Sequence, residues 1–382
     1  MRPLSGIFDH FTRSGVRVLM EMAANIPDCI HLEVGEPHFP TPPHIVEAAH
    51  AAARQGFTRY TANAWLPSLR EAIAAKVRRE NGFDCTPEKV VVTPGAVAAL
   101  ALAVLTVAGR DDEVLIPDPG WPNYQAMVAL AGAQPVRFSL HAERGFQPHL
   151  GEIEALVRPR TKAILVNSPG NPTGGVFTPQ VVEGLMRLAA RRDLYVISDE
   201  VYEAFVFDGE HVPLARFDGE GRVMSVFGFS KTYAMTGWRL GYLVANAELA
   251  ARAASLLEPF ASCASSVSQK AGEAALRGPQ DCVHTFRDVY RARRDLVLDA
   301  FADTGLLTAV PRGAFYALLD VSRTGLADME FAVALLEKQH VAVTPCESFG
   351  PGGAGKVRIS FATADDLLRE GLTRLLRFTR PA

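Results

Sequence analysis

Short apolar runs alternate along the chain with longer stretches whose apolar residues recur every three to four positions. Val90–Val92, Glu113–Ile116, Ala163–Val166, Leu194–Ile197, Val223–Phe227 and Gly241–Val244 are short, apolar and bounded by turn residues, which predicts strands. The stretches beginning at Gly95, around Gln125–Leu130 and over Thr178–Arg192 predict helices between them. The last opens on Thr178, a residue that caps free N–H groups, with Pro179 at the first helical position. Strands that are apolar on both faces and separated by helices form a mostly parallel sheet covered on both sides. The predicted class is therefore α/β, with one large, mostly parallel (mixed) sheet.

The C-terminal part has a different rhythm. A long charged helical pattern over 283–302 is followed by the strand-like PRGAFYALLDV, a helix near 328–339 and the strand-like KVRISFA. That order suits a smaller α+β domain. The expected organisation is an N-terminal arm with part of the small domain at 1–45, the large α/β domain at 46–275, and the small domain at 276–382. No repeat or low-complexity linker separates them.

Composition narrows the function classes. A formal net charge of −3 offers no basic excess for nucleic acid or an anionic membrane, so neither is expected as a partner. The longest apolar run, Ala96–Val107, falls short of the roughly 20 residues that a membrane-spanning helix needs. The five cysteines are odd in number and lack a Cys-x-x-Cys pair. No disulfide framework and no metal site is expected, and a reducing cytoplasm fits. The N-terminal MRPLSGIFDHFTRSG has no long apolar core, so no secretory signal is expected.

Ligands of open parallel sheets gather at the carboxyl ends of strands. After the first predicted strand, Gly95, Ala96 and Val97 lead into a helix whose free N–H groups suit a phosphate. Two prolines and two glycines fix the loop that carries Asn171. Asp199 ends the fourth strand, with Tyr202 just beyond, and Ser230 and Lys231 follow the fifth. A carboxylate and an amine ending apolar strands are costly to bury unless paired or used. Phosphate site, acid, amine, amide and phenol together match the needs of pyridoxal phosphate. The amine forms an imine with its aldehyde, the acid holds the ring nitrogen protonated, and the amide and phenol bond the ring hydroxyl. Trp121, after the second strand, is placed to cover one ring face.

Longer motifs sharpen this. SKTYAMTGWRLGY, from Ser230 to Tyr242, resembles the cofactor-lysine signature of the class I/II aminotransferases. NSPGNPTGGVF from Asn167 and ISDEVYE from Ile197 resemble the family's other two cofactor motifs, in the expected order. LEVGEPHFPTP from Leu32, RYTANAWLPSLREAIA from Arg59 and VRISFA from Val357 resemble its substrate loop, its partner-reaching segment and its substrate-carboxylate motif. The resemblance spans roughly residues 16–362. It implies fold type I, a Schiff base between Lys231 and pyridoxal 5′-phosphate, and Arg239 on the phosphate. It also implies Arg358 on the substrate α-carboxylate, Gly35 in the substrate loop, and a homodimer in which Tyr60 reaches the partner's phosphate. The implied activity is transfer of an α-amino group between an amino acid and a 2-oxo acid by a ping-pong route.

Two positions depart from the family's usual glycine: Trp65 and Cys346. Both put substrate choice in question. Leu256–Gln269 lacks a second arginine for a distal carboxylate, which favours neutral, apolar or aromatic donors. Val16, Trp65, Tyr124 and Phe349 are the expected pocket wall. A β-lyase or decarboxylase of the same fold type is the alternative; a cofactor-binding regulator without turnover is a remote one, since no basic helix-turn-helix stretch precedes residue 30.

Overall fold

The computed structural model describes residues 15–61 and 65–379, apart from the side chain of Val16. Seven strands form the main sheet: β1 (Val90–Thr93), β2 (Glu113–Asp118), β3 (Gln134–Ser139), β4 (Thr161–Asn167), β5 (Tyr195–Asp199), β6 (Val223–Gly228) and β7 (Gly241–Val244). Their spatial order is β1-β7-β6-β5-β4-β2-β3. All neighbours are parallel except β7, which runs antiparallel to both β1 and β6. Six of these strands lie where the apolar runs predict them. The seventh, β3, has a mixed sequence, QPVRFS, and a largely half-exposed edge position. An edge strand needs no continuous apolar run and tolerates Pro135, so apolar periodicity does not reveal it.

Alternation along the strands divides the core in two. Val91, Ala163, Leu165, Ile197 and Val226 pack with the helix Ala96–Val107 in one buried cluster. Ile164, Val166 and Val196 face the opposite layer, against Val182, Leu185 and Leu188 of the helix Pro179–Arg192. The Thr178 side chain accepts a hydrogen bond from the N–H of Val181, as its capping position predicts.

A second, antiparallel sheet has the order β9 (Thr344–Pro345), β10 (Lys356–Ser360), β8 (Tyr316–Asp320). The helix expected over 283–302 runs Asp281–Phe301, and that expected near 328–339 runs Asp328–Gln339. A two-residue parallel pairing of Ile30–His31 with Val341–Ala342 joins the N-terminal part to this unit. Leu19, Ile30, Phe286, Phe331, Val341, Ile359 and Leu368 share its core, which extends to Tyr202 and Phe205 beyond the end of β5. No helix among the described residues is long and apolar enough to cross a membrane.

Phe331 is fully buried in that core. Phe331→Ala should lower the unfolding free energy by about 3–5 kcal/mol, read as an earlier urea transition with an unchanged slope.

Candidate active site

A cavity of about 620 Å³ opens where the carboxyl ends of β4, β5 and β6 meet the start of the helix Ala96–Val107 and the smaller sheet. Asp199 and Lys231 both line it. Asp199 is the last residue of β5, while Lys231 sits in the single helical turn Phe229–Thr232 that follows β6. Asp199 is buried and Lys231 half-buried, and loss of solvent drives them in opposite directions. The Asp199 carboxyl is pushed up to about 6 by loss of solvent; the Tyr124 hydroxyl and the Val201 N–H, which donate to it, pull the other way. The Lys231 amine is lowered to about 8, again chiefly by burial. Lys231 Nζ donates to the carbonyl of Gly35 at 2.5 Å, which brings the predicted substrate loop against the amine.

The turn that opens the helix Ala96–Val107 is built locally. Gly95 has φ +89°, in the left-handed region that favours glycine, and leads β1 directly into the helix. No side chain caps that helix, and Ala96 and Val97 line the cavity. A Cβ on Gly95 would fall 2.5 Å from Nη2 of Arg239, so the guanidinium lies against the glycine turn. Arg239 itself has φ +51°, an uncommon conformation for a side-chain-bearing residue, and donates to the Thr236 carbonyl at 2.9 Å. With Ser230 also on the cavity wall, free N–H groups, a helix N-terminus and a guanidinium converge there. That donor set fits a dianionic phosphate.

The opposite end of the cavity is built on Arg358, in the middle of β10 and 4% exposed. Its guanidinium donates to Asn171 Oδ1 at 2.8 Å, the Glu33 carbonyl at 2.6 Å and Thr344 Oγ1 at 3.2 Å. Its Nε has no partner among the described residues. A buried guanidinium with an unused donor fits a carboxylate ligand. Asn171 is itself tethered, its N–H donating to Asn167 Oδ1 at 2.8 Å. Trp121 and Phe349 complete the aromatic wall.

Some expectations change. Trp65 does not line the cavity of its own chain; it is half-buried with the Arg70 guanidinium stacked on its ring at 4.1 Å. Cys346 also lies outside the cavity, fully buried behind Phe349, whose N–H donates to the Cys346 carbonyl at 2.9 Å. Tyr124 lines the cavity, but its hydroxyl is spent on Asp199 Oδ2 at 2.6 Å, so it supports the acid rather than only walling the pocket. Gly95 shapes the turn that opens the helix Ala96–Val107 without lining the cavity. Tyr60 is 90% exposed and away from its own chain's cavity. The Val16 side chain falls outside the described residues.

Sequence reading missed Tyr316, a fully buried phenol on β8, and the wall contributed by Arg17, Met20 and Glu21 of the helix Gly15–Ala23. The 17/20/21 spacing of one helical face was the only available signal. One cluster of possible metal ligands, Glu200, Glu203 and His211, exists among the described residues. Glu203 is already paired with the Lys76 ammonium and Asn81, so a cation's place there is taken by the chain's own lysine.

The description "Aminotransferase class I and II" matches residues 27–375. The chain belongs to that family, and with its seven-stranded sheet it has the aspartate aminotransferase fold, fold type I. It is an aminotransferase by family, and the relatives agree. It is 39% identical to the aspartate aminotransferase of Pyrococcus abyssi over 99% of this chain and 98% of that one. It is 38% identical to aromatic-amino-acid aminotransferase 2 of Thermococcus litoralis, over 97% of each. The solved aspartate aminotransferase of Thermus thermophilus with maleate superposes at a TM-score of 0.94, with 38% identity, covering 99% of this chain and 100% of that one.

The depressed Lys231 amine has a measurable consequence. In protein freed of bound small molecules, acylation of Lys231 by a small amine reagent, quantified by peptide mass, should rise with pH to a midpoint near 8. A solvated lysine has its midpoint at about 10.4; a Lys231 profile rising only there would contradict the burial argument.

Proposed function

We propose that this chain binds pyridoxal 5′-phosphate between Asp199 and Lys231 and moves an α-amino group from an amino acid to a 2-oxo acid by a ping-pong route. The observation that carries this reading is the convergence of four donor or acceptor sets on one cavity: the Gly95–Arg239 cradle, the Asp199 carboxylate, the Lys231 amine and the Arg358 guanidinium. Bound there, the cofactor supplies an aldehyde that takes up an amine and a ring that accepts the electron pair left by a departing α-proton.

The chain's own residues do the rest. Ala96, Val97, Ser230 and Arg239 hold the phosphate. Asp199 accepts the ring N–H, and Trp121 covers one ring face. Asn171 and Tyr202 meet the ring hydroxyl; with Asn171 Oδ1 accepting from Arg358, its Nδ2 is the group free to donate. Arg358 fixes the substrate carboxylate through paired hydrogen bonds, which sets the orientation of the bond to be broken. Lys231 Nζ, neutral above about pH 8, takes the α-proton as base and returns it as acid. Tyr60, exposed and remote from its own cavity, serves the partner's phosphate in a homodimer.

The donor class follows from the remaining wall. Met20, Leu100, Trp121 and Phe349 make it largely apolar, which supports neutral, apolar or aromatic donors. One observation favours a second reading: Arg17 also lines the cavity, and among the described residues no hydrogen bond or ion pair holds its guanidinium. A donor with a distal carboxylate would use it.

Three measurements test these statements. Lys231→Ala should lose both the cofactor's visible absorbance band and all turnover; turnover in that variant contradicts the scheme. Arg358→Lys should raise KM about ten- to hundredfold, from loss of a bidentate charge-assisted pair. Each amino acid should convert one cofactor equivalent without an acceptor and turn over repeatedly only with a 2-oxo acid; acceptor-independent ammonia release would instead mark a lyase. In the same screen, Arg17→Gln should leave phenylalanine turnover unchanged, and a selective loss of aspartate turnover would establish the second reading.

A further inference from the structure

Tyr316 stands between the two ends of the site. Its hydroxyl lies 2.9 Å from that of Tyr202, with the rings edge-on at 5.6 Å and 85°. The Arg358 guanidinium stacks on the Tyr316 ring at 4.3 Å. Gly35 makes room for this phenol: a Cβ there would fall 2.0 Å from the Tyr316 oxygen. Both phenols line the cavity, and each hydroxyl has the other as its hydrogen-bond partner among the described residues.

A pair of hydroxyls 2.9 Å apart shares one proton bridge, so one must donate and the other accept. Their surroundings decide which. A cation over the Tyr316 ring stabilises negative charge on that phenol and makes its O–H the stronger donor. Arg358 favours ionisation of Tyr202 as well, but there the Asp199 carboxylate opposes loss of the proton. At Tyr316, Arg358 is the largest influence after burial, and no carboxylate among the described residues opposes it. Burial raises both phenols above their usual range, so both keep their protons at neutral pH, and Arg358 pulls Tyr316 back down.

We infer that Tyr316 is a positioning residue: it donates to the Tyr202 hydroxyl, turns the Tyr202 proton toward the cofactor's ring hydroxyl, and is itself held in place by Arg358. The inference rests on the proposed cofactor site. Accepting a hydrogen bond polarises the Tyr202 O–H, and successive bonds in such a chain strengthen one another. Tyr202 therefore stabilises an anionic ring oxygen more strongly with Tyr316 behind it than alone. That favours the deprotonated form of the link between cofactor and Lys231 and lowers the pH at which its absorbance changes.

The test is a pH titration of that absorbance in the cofactor-loaded wild type, Tyr316→Phe, Tyr202→Phe and the double variant. Tyr316→Phe keeps the ring under Arg358 and removes only the hydroxyl. It should raise the midpoint by roughly 0.3–1 pH unit, a two- to tenfold change in the proton dissociation constant. Tyr202→Phe should raise it further, and adding Tyr316→Phe to that variant should change nothing more. Circular dichroism matching the wild type checks that the variants are folded. An unchanged midpoint in Tyr316→Phe, or an equal rise in the Tyr202→Phe background, overturns the inference while leaving the cofactor assignment standing. A wild-type protein with no pH-dependent cofactor band overturns both.

Discussion

Taking an amine and a carboxylate out of water in one cavity is the constraint on which the rest of the site depends. Desolvation pushes Asp199 up to about 6 and Lys231 down to about 8, so at neutral pH both carry charge against the preference of their surroundings. The signs follow from linkage. A carboxyl whose folded pKa is raised loses stability as pH climbs from about 4 through 6. A lysine whose folded pKa is lowered regains it only as pH rises from about 8 toward 10.5. Across the neutral range the fold therefore carries both penalties at once. The surrounding core holds them, with Tyr124, the Val201 N–H and the Gly35 carbonyl supplying partial compensation. Such tension is common where side chains are kept for chemistry rather than for stability.

Secondary structure sets up that placement. Asp199 ends β5, and Lys231 lies one helical turn past the neighbouring strand β6, so adjacent strand ends deliver them to the same opening. β7 returns antiparallel between β6 and β1, and Gly241 brings it close to the Ala96 N–H at the start of the helix Ala96–Val107. Arg358 arrives from the other sheet, and its bond to Asn171 bridges the two layers across the cavity. The polar chain from Arg358 through Tyr316 to Tyr202 gives a second link between the same ends.

Much of this was legible in the chain. Six strands of the main sheet announced themselves because strands buried on both faces need uninterrupted apolar runs. Asp199, Lys231 and Asn171 stood out because charged or turn residues at the ends of such runs contrast with them, whereas Arg239 and Arg358 were singled out only by the family motifs. What escaped lacks that contrast. β3 is an edge strand with a mixed sequence. Tyr316 sits among Phe315, Ala317 and Leu318 in a segment that reads as ordinary core, and only the fold brings its hydroxyl to Tyr202. Trp65 and Cys346 stood out by type, yet packing carries both away from the cavity of their own chain. Substitution by a larger residue shows in a sequence; the direction in which the side chain leaves the backbone does not.

The central claim is that the Lys231 amine, and no other, takes up the cofactor. Borohydride treatment of the protein loaded with pyridoxal phosphate, followed by peptide mass analysis, tests it most directly. The account predicts one phosphopyridoxyl group per chain, on the peptide carrying Lys231. A stable label confined to any of the other six lysines, or none at all under saturating cofactor, would contradict it.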